Sequence, residues 1–400
     1  MSTAAATQAP PRRSRLHTLA LVLAPLAVLV GVIALFISTR GGGLNVTPAV
    51  PIETVQFGRT ILRPDRIELH LRNTSPGAIA ISQININEAT WPYSITPGRE
   101  IPRLGRAVVT LDYPWVEGEA YEISLLSSNS IQFTTSIPVA TVTAGASAAT
   151  LWSFTLIGIY VGIIPILLGM FWLPVLGRLG TRGMLFLMSA TVGLLIFLGI
   201  DAATEALELS AELSGTFQGA GIVGIGVAGT WLLLEAIARH QRNIERHEAA
   251  RRMSLATVIA VGIGLHNLGE GLAIGAAYAV GAAALGTFLV VGFIIQNVTE
   301  GVGIVVPIAN DRPGVRRLAL LGTVGGAPAV VGAWVGGLVY SQPLAVLFLA
   351  IGTGAVLQVA YEIGRKLVWN DAAAPRSPLT VAGGVVAGML VLYLTGLAIK

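Results

Sequence analysis

The sequence predicts a polytopic α-helical membrane protein: an eight-helix core, one N-terminal transmembrane helix, and a small all-β sandwich domain between them. Three observations carry this. Of 400 residues, 54% are hydrophobic and only 12% charged, with a mean hydropathy of +0.74; that balance excludes an ordinary soluble globule. Apolar runs recur along the chain, each near the ~20 residues that one helical crossing needs. One stretch, residues 44–140, departs from them and alternates with a period of two.

Residues 1–17 are polar and basic, with Arg12, Arg13 and Arg15, and read as a cytoplasmic tail. The apolar run at 18–38 is long for the core of a signal peptide, and no small-x-small cleavage pattern follows it. It reads as an uncleaved transmembrane anchor, with a cleaved signal as the rival. Within 44–140, Ile67, Leu69 and Leu71 alternate with Glu68, His70 and Arg72, while Tyr121, Ile123 and Leu125 alternate with Glu122 and Ser124. Ser75-Pro76-Gly77, Thr96-Pro97-Gly98 and Glu117-Gly118 punctuate the strands. Short strands at even spacing build a β-sandwich, and Trp91 and Trp115 are expected to fill its core. No catalytic constellation is visible there. A linker rich in Ala, Thr and Gly (139–150) leads back to the membrane.

From residue 151 to 400 eight apolar spans follow, near 151–175, 183–200, 218–238, 254–279, 285–308, 318–340, 343–363 and 379–399. Basic residues cluster in alternate loops: Arg178 and Arg182; Arg239 to Arg252; Arg312, Arg316 and Arg317; Arg365, Lys366 and Arg376. The intervening loops at 201–217, 280–284 and 341–342 hold no Lys or Arg. The positive-inside rule then places the N-terminus in the cytoplasm, and the β-domain and C-terminus outside the cell or inner membrane. The same distribution explains the pI of about 9.6 by topology and leaves nucleic acid out as a partner. Cysteine is absent, so a metal site must draw on His, carboxylate, amide or Met.

Two runs inside apolar spans carry the chemistry. They are His266-Asn267-Leu268-Gly269-Glu270-Gly271 and Gln296-Asn297-Val298-Thr299-Glu300-Gly301. Ionisable groups at membrane depth are costly and face a protein interior or a water-filled path. His266 and Glu270 stand at i, i+4, as do Gln296 and Glu300, so each pair shares a helix face. An imidazole and carboxylates suit a first-row dication, and amide oxygens are weaker ligands that complete a shell. The expected primary ligands are therefore His266, Glu270, Gln296 and Glu300, with Asn267 and Asn297 as secondary ones. Two glutamates would be neutralised by one M²⁺. His266 is the only histidine in a core span; a buried histidine bonded to a backbone carbonyl is its bland alternative.

Residues 151–400 resemble the ZIP family of divalent-metal transporters, on the strength of those two runs and the stretch through Leu272-Ala273-Ile274-Gly275. The resemblance implies a ZIP-like transporter core with both ends external and its metal site on the fourth and fifth spans. It implies import of a divalent cation, Zn²⁺ first with Fe²⁺ or Mn²⁺ as alternatives, by alternating access; the metal is the transported substrate, and the chain is not an enzyme. The family's Pro before each motif Glu is replaced by Gly269 and Thr299, which suggests that glycine weakens the helices at the site. Two carboxylates of the family's second metal site are replaced by Asn297 and by Ala327, before Pro328, so one tightly bound ion is expected.

Asp201 and Glu205, also at i, i+4, are candidate entrance residues. Glu362 is a candidate exit residue, or a partner of Arg365 or Lys366. Glu235 reads as a solvated end residue, and Pro307 is expected to kink the fifth span. A transport-deficient sensor or receptor that uses the β-domain, and an intramembrane metallohydrolase, are the alternative functions. The β-domain itself is left with three candidate roles: docking a partner, gating the entrance, or joining two copies as a homodimer in the lipid bilayer.

Overall fold

A computed structural model of the chain describes residues 15–39, 52–143, 145–244, 247–279, 283–311, 313–339, 341–369 and 377–399. Most of the expected tail (residues 1–14), the β-domain's expected start at 44–51, and Arg246, Arg312 and Arg376 of the basic loops lie outside the described residues. Helix α1 spans Arg15–Ser38 and contains Pro25; among its described side chains the apolar stretch is Leu23–Phe36. The chain from Glu53 onward forms a second compact unit.

That unit begins with nine strands: β1 (Val55–Arg63), β2 (Arg66–Asn73), β3 (Ile79–Ile86), β4 (Ala89–Thr90), β5 (Ser94–Thr96), β6 (Glu100–Ile101), β7 (Arg106–Leu111), β8 (Tyr121–Ser127) and β9 (Gln132–Ile137). One antiparallel sheet runs β1-β2-β7-β5; the other runs β4-β3-β8-β9, with β6 paired to β3. Alternation sets which face is buried. Ile67, Leu69 and Leu71 enter the shared core with Ile123 and Leu125, and Glu68, His70 and Arg72 lie half-buried on the opposite face. Trp91 and Trp115 do not fill this core. Both sit half-buried at its rim, where the indole N–H reaches a backbone carbonyl, Asp112 O at 2.8 Å and Arg63 O at 2.6 Å. An indole carries a donor that must be satisfied, and branched aliphatics fill the dry centre without that demand. The register of β1 on β2 shifts between Phe57 and Thr60, so Gly58 and Arg59 form a bulge opposite His70.

The remainder is helical: α2 (Ala148–Gly158), a π-helical turn (Ile159–Ile163), α3 (Ile164–Met170), α4 (Leu173–Leu176), α5 (Thr181–Ala211), α6 (Gly219–Ile244), α7 (Glu248–Ala279), α8 (Ala283–Val305), α9 (Val315–Val339), α10 (Gln342–Trp369) and α11 (Pro378–Ile399). With α2 to α4 counted as one span, eight helices among the described residues are long and apolar enough to cross a membrane. The described residues are mostly helical, with eight helices that could span a membrane and a small β-sheet region. The second span runs on to Ala211, well past residue 200, so Asp201 and Glu205 lie on the helix itself. Pro307 does not kink α8: the helix stops at Val305, and Val306–Ile308 forms a 3₁₀ turn. Helices α7 and α8 pass through Gly269 and Thr299 without interruption; the irregular turn lies in the first span.

Packing divides the helices into two sets. Helix α7 packs most extensively on α9 and also meets α8, while α2 meets α9 and α3 meets α8. Helix α5 packs on α10 and α11, and α6 on α10. The sets meet chiefly where α10 lies along α7. Small residues permit this closeness: a Cβ on Gly271 would stand 2.1 Å from Ala329 O, and one on Gly301 would stand 2.2 Å from Ile166 O.

Candidate metal centre

His266 and Glu270 project from one face of α7, one turn apart, and Glu300 reaches them from α8. One ligand atom from each lies within 4.8 Å of the others. All three are deeply buried, with 6%, 4% and 5% of their surface exposed. His266 Nε2 stands 3.4 Å from Glu270 Oε1. Around a tetrahedral ion with bonds of about 2.1 Å, ligand atoms lie roughly 3.4 Å apart. The His266–Glu270 pair already stands at that separation, and Glu300, within 4.8 Å of both, is in reach of closing on them by side-chain torsions to enclose a cation.

The amides around the trio are arranged as hydrogen-bond donors. Gln296 Nε2 donates to Glu270 Oε1 at 2.5 Å and to Glu300 Oε1 at 3.3 Å. It bridges the two carboxylates as a donor, and its oxygen would serve a cation only after the amide turned over. Asn267 Nδ2 donates to Gly325 O of α9 at 3.0 Å. Asn297 Nδ2 donates to Val161 O at 3.0 Å and to Glu270 Oε2 at 3.1 Å. Both asparagines are fully buried and anchor the helices that carry the trio to backbone carbonyls of neighbouring elements.

Four buried polar atoms here have no hydrogen-bond partner: His266 Nε2, Asn267 Oδ1, Asn297 Oδ1 and Glu300 Oε2. Each such atom costs about 1–3 kcal/mol when buried; the three oxygens offer lone pairs, as does His266 Nε2 in the tautomer with its proton on Nδ1. Two carboxylates with that surplus of acceptors fit a dication of the nitrogen- and oxygen-binding kind.

The outlying candidates fall in different places. Glu205 is exposed on α5 yet close enough to His266 and Glu270 to interact electrostatically with both, and with Asp201 and Glu208. Glu362, only 3% exposed, accepts from Arg365 Nη2 with both oxygens at 3.1 Å, the pairing named as its alternative role. Glu235 is not a solvated end residue. It is 8% exposed, accepts from Arg239 Nε at 2.7 Å and from Gln358 Nε2 at 3.2 Å, and so belongs to a buried polar link between α6 and α10.

Two contributors carry no sequence signal of their own. Gly352 of α10 backs His266: a Cβ there would lie 3.0 Å from His266 Cα. Val161 contributes only its carbonyl, although Pro165 four residues on was a sign that this oxygen lacks a helical donor. Neither a protein-family model nor a curated protein sequence matches the chain.

Proposed function

We propose that this protein carries a divalent metal cation across a membrane, with Zn²⁺ as the leading cargo and Fe²⁺ or Mn²⁺ as alternatives, through a site formed by His266, Glu270 and Glu300. The observation that carries the reading is the convergence of these three buried groups, among unpartnered lone pairs, inside helices of membrane-spanning length. Charge neutralisation by a cation is the natural compensation for two desolvated carboxylates. The resemblance to ZIP transporters in the two motif runs points the same way and supplies the direction, toward the cytoplasm.

Asp201 and Glu205 would attract the ion and hand it to the trio. Gln296 would turn its amide as the ion arrives. The site-bearing set (α2, α3, α7, α8, α9) would then shift against α5, α6, α10 and α11 to open the site to the other side, as packed bundles do in other transporters. The basic loops orient the core with the β-domain outside.

Uptake of Zn²⁺, Fe²⁺ and Mn²⁺ into proteoliposomes tests this. Wild-type protein should show saturable uptake, and His266→Ala and Glu300→Ala should abolish it. Undiminished flux in both variants would remove the site from the pathway. Metal binding without any uptake would favour a sensor that works through the β-domain.

A further inference from the structure

The irregular turn in the first span and the carboxylate of Glu270 share one amide. Ile159–Ile163 is π-helical, and Ile164 N–H bonds to Ile159 O, five residues back. Pro165 follows. Proline has no N–H, so Val161 O has lost the donor that an α-helix would supply four residues on. Val161 is fully buried, where a bare carbonyl is costly. The missing hydrogen comes from Asn297 Nδ2 at 3.0 Å, and the same nitrogen lies 3.1 Å from Glu270 Oε2. A carboxamide nitrogen has two hydrogens; one goes to each acceptor. Glu270 Oε1 is meanwhile held by Gln296 Nε2. Close packing stiffens the arrangement. A Cβ on Gly169 would lie 2.1 Å from Val298 O, and one on Gly301 would lie 2.2 Å from Ile166 O, so α3 and α8 have no slack between them.

We infer that Asn297 is a positioning residue rather than a metal ligand: it uses the carbonyl that Pro165 leaves open in the first span to aim the Glu270 carboxylate at His266 and Glu300. π-turns concentrate at functional sites, and here the turn presents one backbone acceptor to the amide that orients a ligand. This inference rests on the metal-site reading above.

Co²⁺ binding to the purified full-length protein, followed by titration and by its visible spectrum, provides the test. Asn297→Ala should weaken Co²⁺ binding about 10–100-fold, the range for loss of an outer partner of a metal ligand, and should alter the spectrum. Pro165→Ala restores an N–H that competes for Val161 O. It should weaken binding by a smaller factor, and the double variant should bind no more weakly than Asn297→Ala alone. Asn297→Asp, which keeps an oxygen and loses the donor, should also bind more weakly. Wild-type affinity in Asn297→Ala, tighter binding in Asn297→Asp, or a double variant as weak as the product of the two singles would each overturn the role. Thermal unfolding of wild type, Asn297→Ala, Pro165→Ala and their double variant in excess chelator isolates the Val161 link without metal: Pro165→Ala should cost less stability in the Asn297→Ala background than in wild type, and additive changes would refute the link. A wild type that binds no Co²⁺ would defeat the transport reading and leave that metal-free comparison standing.

Discussion

Both oxygens of Glu270 are held by amides from α8, whereas Glu300 has one oxygen without a partner. Glu300 and His266 are therefore the groups freest to close on an ion, with Glu270 as the fixed wall. Since no third carboxylate joins them among the described residues, charge balance allows one dication. Zn²⁺ titration of the purified protein should give one tight equivalent per chain, and two tight equivalents would contradict it. His266→Ala should weaken that binding by more than the 10–100-fold that an outer partner costs. The i, i+4 spacing put His266 with Glu270 on one helix face and Gln296 with Glu300 on another; that the two faces meet was expected only from the repeat of the motif on consecutive spans and from the resemblance. The spacing could not say which end of Gln296 or Asn297 meets a carboxylate. That depends on a terminal torsion and on acceptors supplied by other helices, such as Val161 O and Gly325 O. Glu235 escaped for the same reason: its partner Gln358 lies 123 positions away in sequence.

The helices themselves were legible from length and hydropathy, since a bilayer crossing requires both. Their ends were not. Helix α5 continues past the polar residues at 201–205, with Asp201 and Glu205 one turn apart on its surface. Helix α7 runs unbroken through Gly269, so the expected weakening is not seen there, and Gly271 serves the close approach of α9. Gly271→Ala would drive a methyl to 2.1 Å from Ala329 O, a backbone atom that cannot rotate away. Overpacking of this kind costs about 1–3 kcal/mol, so the melting temperature in detergent should fall by several degrees. Gly229→Ala on α6, where nothing lies within 4 Å, should leave it level or raise it, as expected for an unhindered helical glycine. Equal effects from the two would mean that the close crossing of α7 and α9 is not what Gly271 maintains.

At the scale of the molecule, the β-domain is seated on one end of the helical bundle. Gln56 of β1 donates to Gln342 Oε1 at 2.7 Å and accepts from Ser214 N at 3.0 Å; Thr216 Oγ1 donates to Thr74 O at 2.6 Å; Arg72 lies over the Phe217 ring, 5.2 Å from its centroid. These contacts go to the α5–α6 loop and the start of α10, within one helix set. The β-domain also touches the other set. Arg59, turned by the bulge at Gly58, donates from Nη1 to Leu338 O near the C-terminal end of α9 at 2.9 Å. Bulges re-aim side chains in this way, and a cation suits the carbonyl end of a helix. Burial there pushes the Arg59 guanidinium below its ordinary pKa, so the contact is partly desolvated. If the sets shift against each other during transport, the β-domain stays with the loop that holds it by several contacts, and the Arg59–Leu338 contact breaks. The absence of native cysteine makes this directly measurable. Arg59→Cys/Leu338→Cys joined by a short bismaleimide should stop Zn²⁺ uptake, and the unjoined pair should retain it. Thr74→Cys/Thr216→Cys joined in the same way should transport as before. Uptake that survives the first link, or is lost with the second, would mean that the β-domain does not span the moving boundary.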